Sequence, residues 1–175
     1  GFRTFTADPD KGFFLNGKPI KFYGICCHQG HAGVGTAVPD SIVAFRMKKL
    51  KELGINGFRC VHHNPSPELL DECDRLGILV IDENRNFESG EEYIGYIEDM
   101  VRRDRNHPSV VMYALFNEEP IAEFPEGGNI YRRLASAVKR LDGTRLLTGA
   151  MNEDSAFGEG GAGTLMDVTG INYAL

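Results

Sequence analysis

Short apolar runs alternate with amphipathic stretches along most of the chain, and the alternation predicts strands and helices in turn. Ile20 to Cys27 (IKFYGICC) is rich in β-formers and reads as a first strand. Pro39-Asp40-Ser41 then opens a helix. Ile42, Phe45 or Arg46, Met47, Leu50 and Leu53 recur at helical spacing, and Gly54 stops it. Ile55 to Val61 is a second strand. Ser66 caps the next helix, with Pro67 at its first position, and Gly77 closes it after Leu76. Ile78 to Ile81 is a continuous apolar run, the pattern of a strand buried on both faces.

The same alternation continues. Ser89-Gly90-Glu91-Glu92 has the spacing of a capping box, and Ile94, Ile97, Met100 and Val101 follow on one helical face. Asn106-His107-Pro108 breaks that helix, and Val110 to Phe116 is a fourth strand. Glu126 to Leu141 is a helix with Ile130, Leu134, Ala137, Val138 and Leu141 on one side. Asp142-Gly143 turns it into a fifth strand, Arg145 to Thr148. A glycine-rich loop, Gly158 to Gly163, precedes a sixth at Val168 to Tyr173.

Strand, helix, strand, helix marks parallel βα units and an α/β fold. Two architectures compete: a doubly wound open sheet, and part of an eight-fold barrel, which takes about 250 residues when complete. Reactive groups in parallel sheets gather at the C-terminal strand ends. Here every strand end carries them: Cys27-His28-Gln29-Gly30-His31; Arg59 with His62-His63-Asn64; Asp82-Glu83-Asn84-Arg85; Asn117-Glu118-Glu119; Asn152-Glu153-Asp154; and Asn172-Tyr173. An open sheet would not bring all of these to one crevice, whereas a barrel lines them on one ring. The expected fold is therefore a partial TIM (β/α)8 barrel with about six of the eight units, residues 20–175. Residues 1–19 read as an entry segment ahead of that span.

Composition narrows the function. Nineteen basic against 25 acidic residues leave a formal charge of −6, which argues against tracking of nucleic-acid phosphates. No apolar run approaches the roughly 20 residues of a membrane helix, so neither nucleic acid nor membrane is an expected partner. The four cysteines, Cys26, Cys27, Cys60 and Cys73, lack CxxC spacing and read as reduced thiols. His28, His31, His62 and His63 raise the alternative of a barrel metallohydrolase. The His-x-His pattern expected of one after the first strand is absent, and no metal or cofactor is expected. Gly158 to Gly163 precedes a strand instead of following one, so it is not a phosphate cradle. Arg102, Arg103 and Arg105, interrupted by Asp104, read as a solvated helix end.

The sharpest feature is Asn117-Glu118 behind the apolar run VVMYALF. A glycosidase needs a carboxylic acid to protonate the leaving oxygen, and a neighbouring amide can bind a sugar hydroxyl. Three longer segments carry a resemblance. NGFRCVHHNPSPELLDECDRLGILVIDE (Asn56 to Glu83) and RDRNHPSVVMYALFNEE (Arg103 to Glu119) resemble the two signatures of glycoside hydrolase family 2. FFLNGKPIKFYGI (Phe13 to Ile25) resembles that family's approach to its barrel. The loop CCHQGHAGVG (Cys26 to Gly35) is similar to the β-galactosidase type.

The resemblance implies a retaining hydrolase of terminal β-galactosides, or of related oligosaccharides. Other β-glycosidases of the family, acting on β-glucuronides or β-mannosides, and a non-catalytic fragment are the alternatives. It implies Glu118 as acid/base, Asn117 on the 2-hydroxyl, His28 and His62 at the sugar, Arg59 as a buried strand arginine, and Tyr173 beside the nucleophile. The family places that nucleophile on a seventh strand, so the chain by itself is expected to be inactive, and to self-associate through open barrel edges. Phe87 and Ser89 stand where one branch of the family has magnesium ligands, so no metal is expected there. Tyr113 stands where a tryptophan often precedes the acid/base motif. The compartment stays open, although family members of this type are often exported, which would make the parent protein periplasmic or secreted.

Overall fold

The computed structural model describes residues 2–173; Gly1, at the head of the lead-in segment, and the last two residues of the 20–175 barrel span lie outside them. The chain divides into two compact units, Gly1–Glu83 with Asp104–Val111, and Asn84–Arg103 with Met112–Leu175.

The first unit begins with an antiparallel sheet of β1 (Phe5–Asp8), β2 (Gly12–Leu15) and β3 (Lys18–Ile20). Asn16 (φ 51°) and Gly17 (φ 75°) join Leu15 to Lys18 with two positive-φ residues, the geometry that matches the twist of a two-residue hairpin. Phe5, Phe13 and Phe22 pack under it, with ring centroids 5.2–5.9 Å apart. Three parallel strands follow, β4 (Gly24–Cys27), β5 (Gly57–Cys60) and β6 (Leu79–Glu83), paired in chain order. Gly24 lies so close to Gly57 that a Cβ on it would sit 2.6 Å from the Gly57 carbonyl oxygen.

Helix α1 (Asp40–Glu52) connects β4 to β5, and α2 (Pro67–Leu76) connects β5 to β6. Ser66 caps α2 by accepting the Leu69 N–H, and Gly77 ends it in the left-handed conformation (φ 64°). Leu69, Leu70 and Cys73 of α2 are buried. Burial pushes the Cys73 thiol up to about 12 and Cys60 also well up, so both stay protonated, and all four cysteines are free. Segment 104–111 is tied into this unit by Asp74, which accepts the Ser109 N–H and pairs with His107 Nδ1, each at 2.8 Å.

The second unit holds α3 (Glu91–Asp104) up to Arg103, β7 (Val110–Asn117) from Met112, α4 (Pro125–Leu141), β8 (Leu146–Met151) and β9 (Gly170–Ile171). β7, β8 and β9 pair in parallel, again in chain order. The core of this unit is aromatic: Phe116 packs on Phe87 at 4.4 Å with the rings tilted by 36°, and meets Tyr131 edge-on at 6.2 Å. Tyr113, also fully buried, donates its hydroxyl to Asp142.

The fold is thus α/β, a partial TIM (β/α)8 barrel. It refines the sequence reading at several edges. The expected first strand splits, because Lys21 to Tyr23 leave the sheet: Asn56 accepts the Tyr23 N–H and donates to the Lys21 carbonyl. The sixth strand shrinks to two residues, since the amides of Asp167 and Val168 both turn to the Leu147 carbonyl. On α1 only Met47 is fully buried; Phe45 and Leu53 face solvent. Among the described residues, no helix is long and apolar enough to cross a membrane.

Candidate active site

In the first unit the side chains at the C-terminal strand ends form one connected cluster. Glu83, the last residue of β6, is completely buried. Its Oε2 accepts Arg59 Nε at 2.6 Å and its Oε1 lies 2.5 Å from His62 Nδ1. A carboxylate can only accept here, so Nδ1 of His62 carries a proton. The Val61–His62 peptide is cis. His28, just past β4, packs its ring edge-on against that of His62 at 5.6 Å. Sequence reasoning therefore named Arg59, His62 and His28 as separate candidates, and the structure joins them around Glu83.

The other two histidines of this region have different surroundings. His63 donates Nδ1–H to the Val61 carbonyl at 2.9 Å, and burial lowers its pKa, which favours the neutral ring. His31 Nδ1 accepts from Arg46 at 3.0 Å, and Arg46 also donates to the Gly30 carbonyl at 3.0 Å. Arg46, a residue read from the sequence only as part of a helix face, thus holds the loop after β4 in place. Among the described residues, the three-residue grouping with ligand-like spacing is Asp71, Asp74 and His107, on α2 and the 104–111 segment.

In the second unit the site is built by a defect in the β7–β8 ladder. Ala114 pairs with Thr148, but Asn117 pairs with Ala150, so β7 holds one residue more than β8 over that stretch. Such a bulge bends a strand and re-aims the side chains beyond it. Glu118 follows at φ 52°, a left-handed conformation that costs a non-glycine residue about 1 kcal/mol. Its N–H donates to the Ala150 carbonyl at 2.8 Å, so the strained residue is anchored. The apolar run up to Phe116 is buried, whereas Asn117 and Glu118 emerge half-buried.

Asn172, immediately after β9, binds both. Its Nδ2 donates to Asn117 Oδ1 at 2.9 Å and to Glu118 Oε1. Tyr173 follows at φ 61° and is largely exposed. Together with Asn152, Glu153, Phe157, Ile171 and Asn172 it lines a cavity of about 130 Å³. Glu119, next to Glu118, turns to a different partner, Arg85, at 2.7 Å. Phe87, at one of the two positions considered for metal, is buried against Phe116.

Glu83 and Asn172 are the two residues that sequence reasoning left without a role. An acidic residue at the end of the run ILVIDE was a usable signal for Glu83, since a carboxylate carried into an apolar strand needs a buried base.

The family described as glycosyl hydrolases family 2, TIM barrel domain, matches residues 8–90 and 84–168. The chain is 35% identical to a β-galactosidase of Bacteroides ovatus, covering 99% of this chain and 25% of that protein. It is 34% identical to the β-glucuronidase of Sus scrofa over 85% of this chain and 24% of that one. A crystal structure of a glycosyl hydrolase family 2 member from Bacteroides cellulosilyticus superimposes with a TM-score of 0.90 at 37% identity. It covers 99% of this chain and 24% of that one. The chain thus spans about a quarter of the length of the relatives it matches.

Proposed function

The chain belongs to glycosyl hydrolase family 2 through its TIM-barrel domain, and from that membership we propose that it carries the acid/base half of a retaining β-glycosidase site. The observation that carries the reading is the Asn117–Glu118 pair: bulged out of β7, held at a left-handed backbone and bound by Asn172. Glu118 protonates the glycosidic oxygen as the anomeric carbon transfers to a second carboxylate. It then removes a proton from the water that hydrolyses the covalent intermediate. Asn117 binds the 2-hydroxyl of the sugar. His28, His62 and Arg59 serve the sugar site, the first two by contact and Arg59 by holding Glu83. Tyr173 sits beside the nucleophile.

None of Glu83, Glu119 and Glu153 is read as that nucleophile, which the family resemblance places on a seventh strand. Glu83 is occupied by Arg59 and His62, and Glu119 by Arg85. The 175 residues by themselves are accordingly proposed to lack turnover, with residues 1–19 leading in from a separate domain and no metal taking part.

The substrate we propose is a terminal β-galactoside. Its support is the loop Cys26 to Gly35 and the likeness to the Bacteroides ovatus β-galactosidase. A β-glucuronide is the second reading, favoured by relatives of that name at similar identity. The test is kcat/KM of the full-length protein on 4-nitrophenyl β-galactoside, β-glucuronide and β-mannoside. The galactoside should lead by about 10-fold or more, the scale on which pocket contacts discriminate. A leading glucuronide overturns the substrate, and no turnover on any of the three overturns the glycosidase.

A further inference from the structure

Asn172 is held at both ends. Its backbone N–H donates to the Met151 carbonyl at 2.7 Å, which continues the β8–β9 ladder by one bond. Its side-chain nitrogen has two hydrogens, and each finds an acceptor: Asn117 Oδ1 and Glu118 Oε1. Both acceptors are oxygens, which fixes the orientation of the Asn172 amide. The three residues come from the C-terminal ends of two strands, 54 and 55 positions apart in sequence, and meet at one nitrogen atom.

We infer that Asn172 is a positioning residue for the acid/base carboxylate: anchored on Asn117, its amide ties down Oε1 of Glu118 and leaves Oε2 to carry the exchanged proton. The inference rests on the reading of Glu118 proposed above. In the first half-reaction the proton on Oε2 passes to the glycosidic oxygen. The bond from that oxygen to the anomeric carbon breaks with its electron pair going to the oxygen, and the anomeric carbon bonds to the nucleophilic carboxylate. Glu118 is left as an anion. An N–H donor on Oε1 binds that anion more strongly than the neutral acid, so the bond gains strength as the proton leaves. In the second half-reaction Oε2 takes a proton from water as the water oxygen bonds to the anomeric carbon and the bond to the nucleophile breaks. The strain at Glu118 makes the constraint useful, because a residue outside its preferred backbone region needs outside contacts to keep one orientation.

The experiment uses the full-length protein and the glycone it hydrolyses best. One substrate has a phenyl leaving group, which needs protonation; the other has a 2,4-dinitrophenyl group, which does not. Asn172→Ala should lower kcat/KM on the phenyl glycoside on the order of 10- to 100-fold, the scale of one hydrogen bond to a charged group. KM should change little, and the dinitrophenyl glycoside should lose no more than about 3-fold. In a Glu118→Gln background, Asn172→Ala should cost nothing further on the phenyl substrate. Asn172→Leu, nearly the same shape with no donor and no charge, should behave like the alanine variant. It carries the test if the alanine variant does not fold. Equal losses on both substrates, or losses that add to those of Glu118→Gln, overturn the inference. A Glu118→Gln protein that keeps full activity on the phenyl glycoside overturns the reading of Glu118 itself.

Discussion

Arg59 Nε donates to Glu83 Oε2 at 2.6 Å across two parallel strands, and the carboxylate that receives it has no exposure to water. The two residues are 24 apart in sequence. An ionised carboxylate carried that deep is costly unless it is paired and hydrogen-bonded, and His62 completes the shell on the other oxygen. The same contacts fix the Arg59 fork and the His62 ring at the ends of β5 and β6, so one buried charge organises the candidate residues of the first unit.

Removing that carboxylate should therefore cost far more than a surface ion pair. Glu83→Ala leaves a mostly buried guanidinium without its counter-charge, and breaking such a pair costs about 3–5 kcal/mol. Glu83→Gln keeps the shape and one acceptor and should lose less. Urea unfolding followed by circular dichroism measures both. A loss below about 1 kcal/mol for Glu83→Ala, the range of exposed pairs, would mean that the pair does not organise the unit.

Acid sensitivity should come partly from Asp142. This carboxylate accepts the Thr144 N–H at 2.8 Å and the Thr144 hydroxyl at 2.6 Å, and it pairs with Arg145 and the Tyr113 hydroxyl. Burial alone would raise its pKa; the Thr144 hydrogen bonds and the Arg145 charge outweigh burial and hold it below the usual carboxylate range. The unfolded value is about 3.9. A group depressed on folding stabilises the native state above its unfolded pKa and loses that contribution as pH falls through the folded value. Urea midpoints measured from pH 7 down to pH 2 should fall on the acid side, and Asp142→Asn should show a shallower fall from a lower starting stability. An unchanged slope in the variant would remove Asp142 from the acid response.

Much of the fold was legible because the strands of a barrel are apolar runs between helix caps. Leu79–Glu83 and Val110–Asn117 begin within one residue of their predicted starts, and Ser66, Pro67 and Gly77 mark α2 as read. The β2–β3 hairpin is absent from the sequence reading although Asn16-Gly17 announces it, since Phe13 to Pro19 enter that reading only through their resemblance. Glu118 stood out by its neighbours in sequence. Asn172 did not, because its partners lie 54 and 55 residues away and no local pattern records such a pairing; for Glu83 the run ILVIDE signals a buried charge but not which bases meet it. Phe45 and Leu53 fit a helical stripe yet stay exposed, since spacing says which residues share a face and not what covers it.

Packing around the second site should be intolerant of a single methyl group at Gly149. A Cβ there overlaps the ring of Phe116, which is fully buried between Phe87 and Tyr131. Gly149→Ala should destabilise by about 1–3 kcal/mol, the usual cost of overpacking a core. Adding Phe116→Leu should recover part of the loss by vacating the space. If the double variant is less stable than either single one, the overlap is not the cause.

Asn117 offers the cleanest test of the sugar's place in the site. On the proposed reading its amide holds the 2-hydroxyl, and that hydrogen bond strengthens as positive charge builds at the anomeric carbon. Its loss should appear mainly in kcat/KM and amount to several kcal/mol at most. Two deletions can remove the bond: Asn117→Ala from the protein, or a 2-deoxy glycoside from the substrate. If the bond is the whole effect, each deletion alone should lower kcat/KM by a similar factor, and both together should cost little more than either. The assignment fails if the two losses multiply. Asn117 also receives the Asn172 amide, so its removal frees that amide and loosens the constraint on Glu118. That second effect would appear as a residual loss on the 2-deoxy substrate that is larger for phenyl than for 2,4-dinitrophenyl leaving groups. The four rate ratios thus separate sugar binding by Asn117 from its contribution to holding the acid.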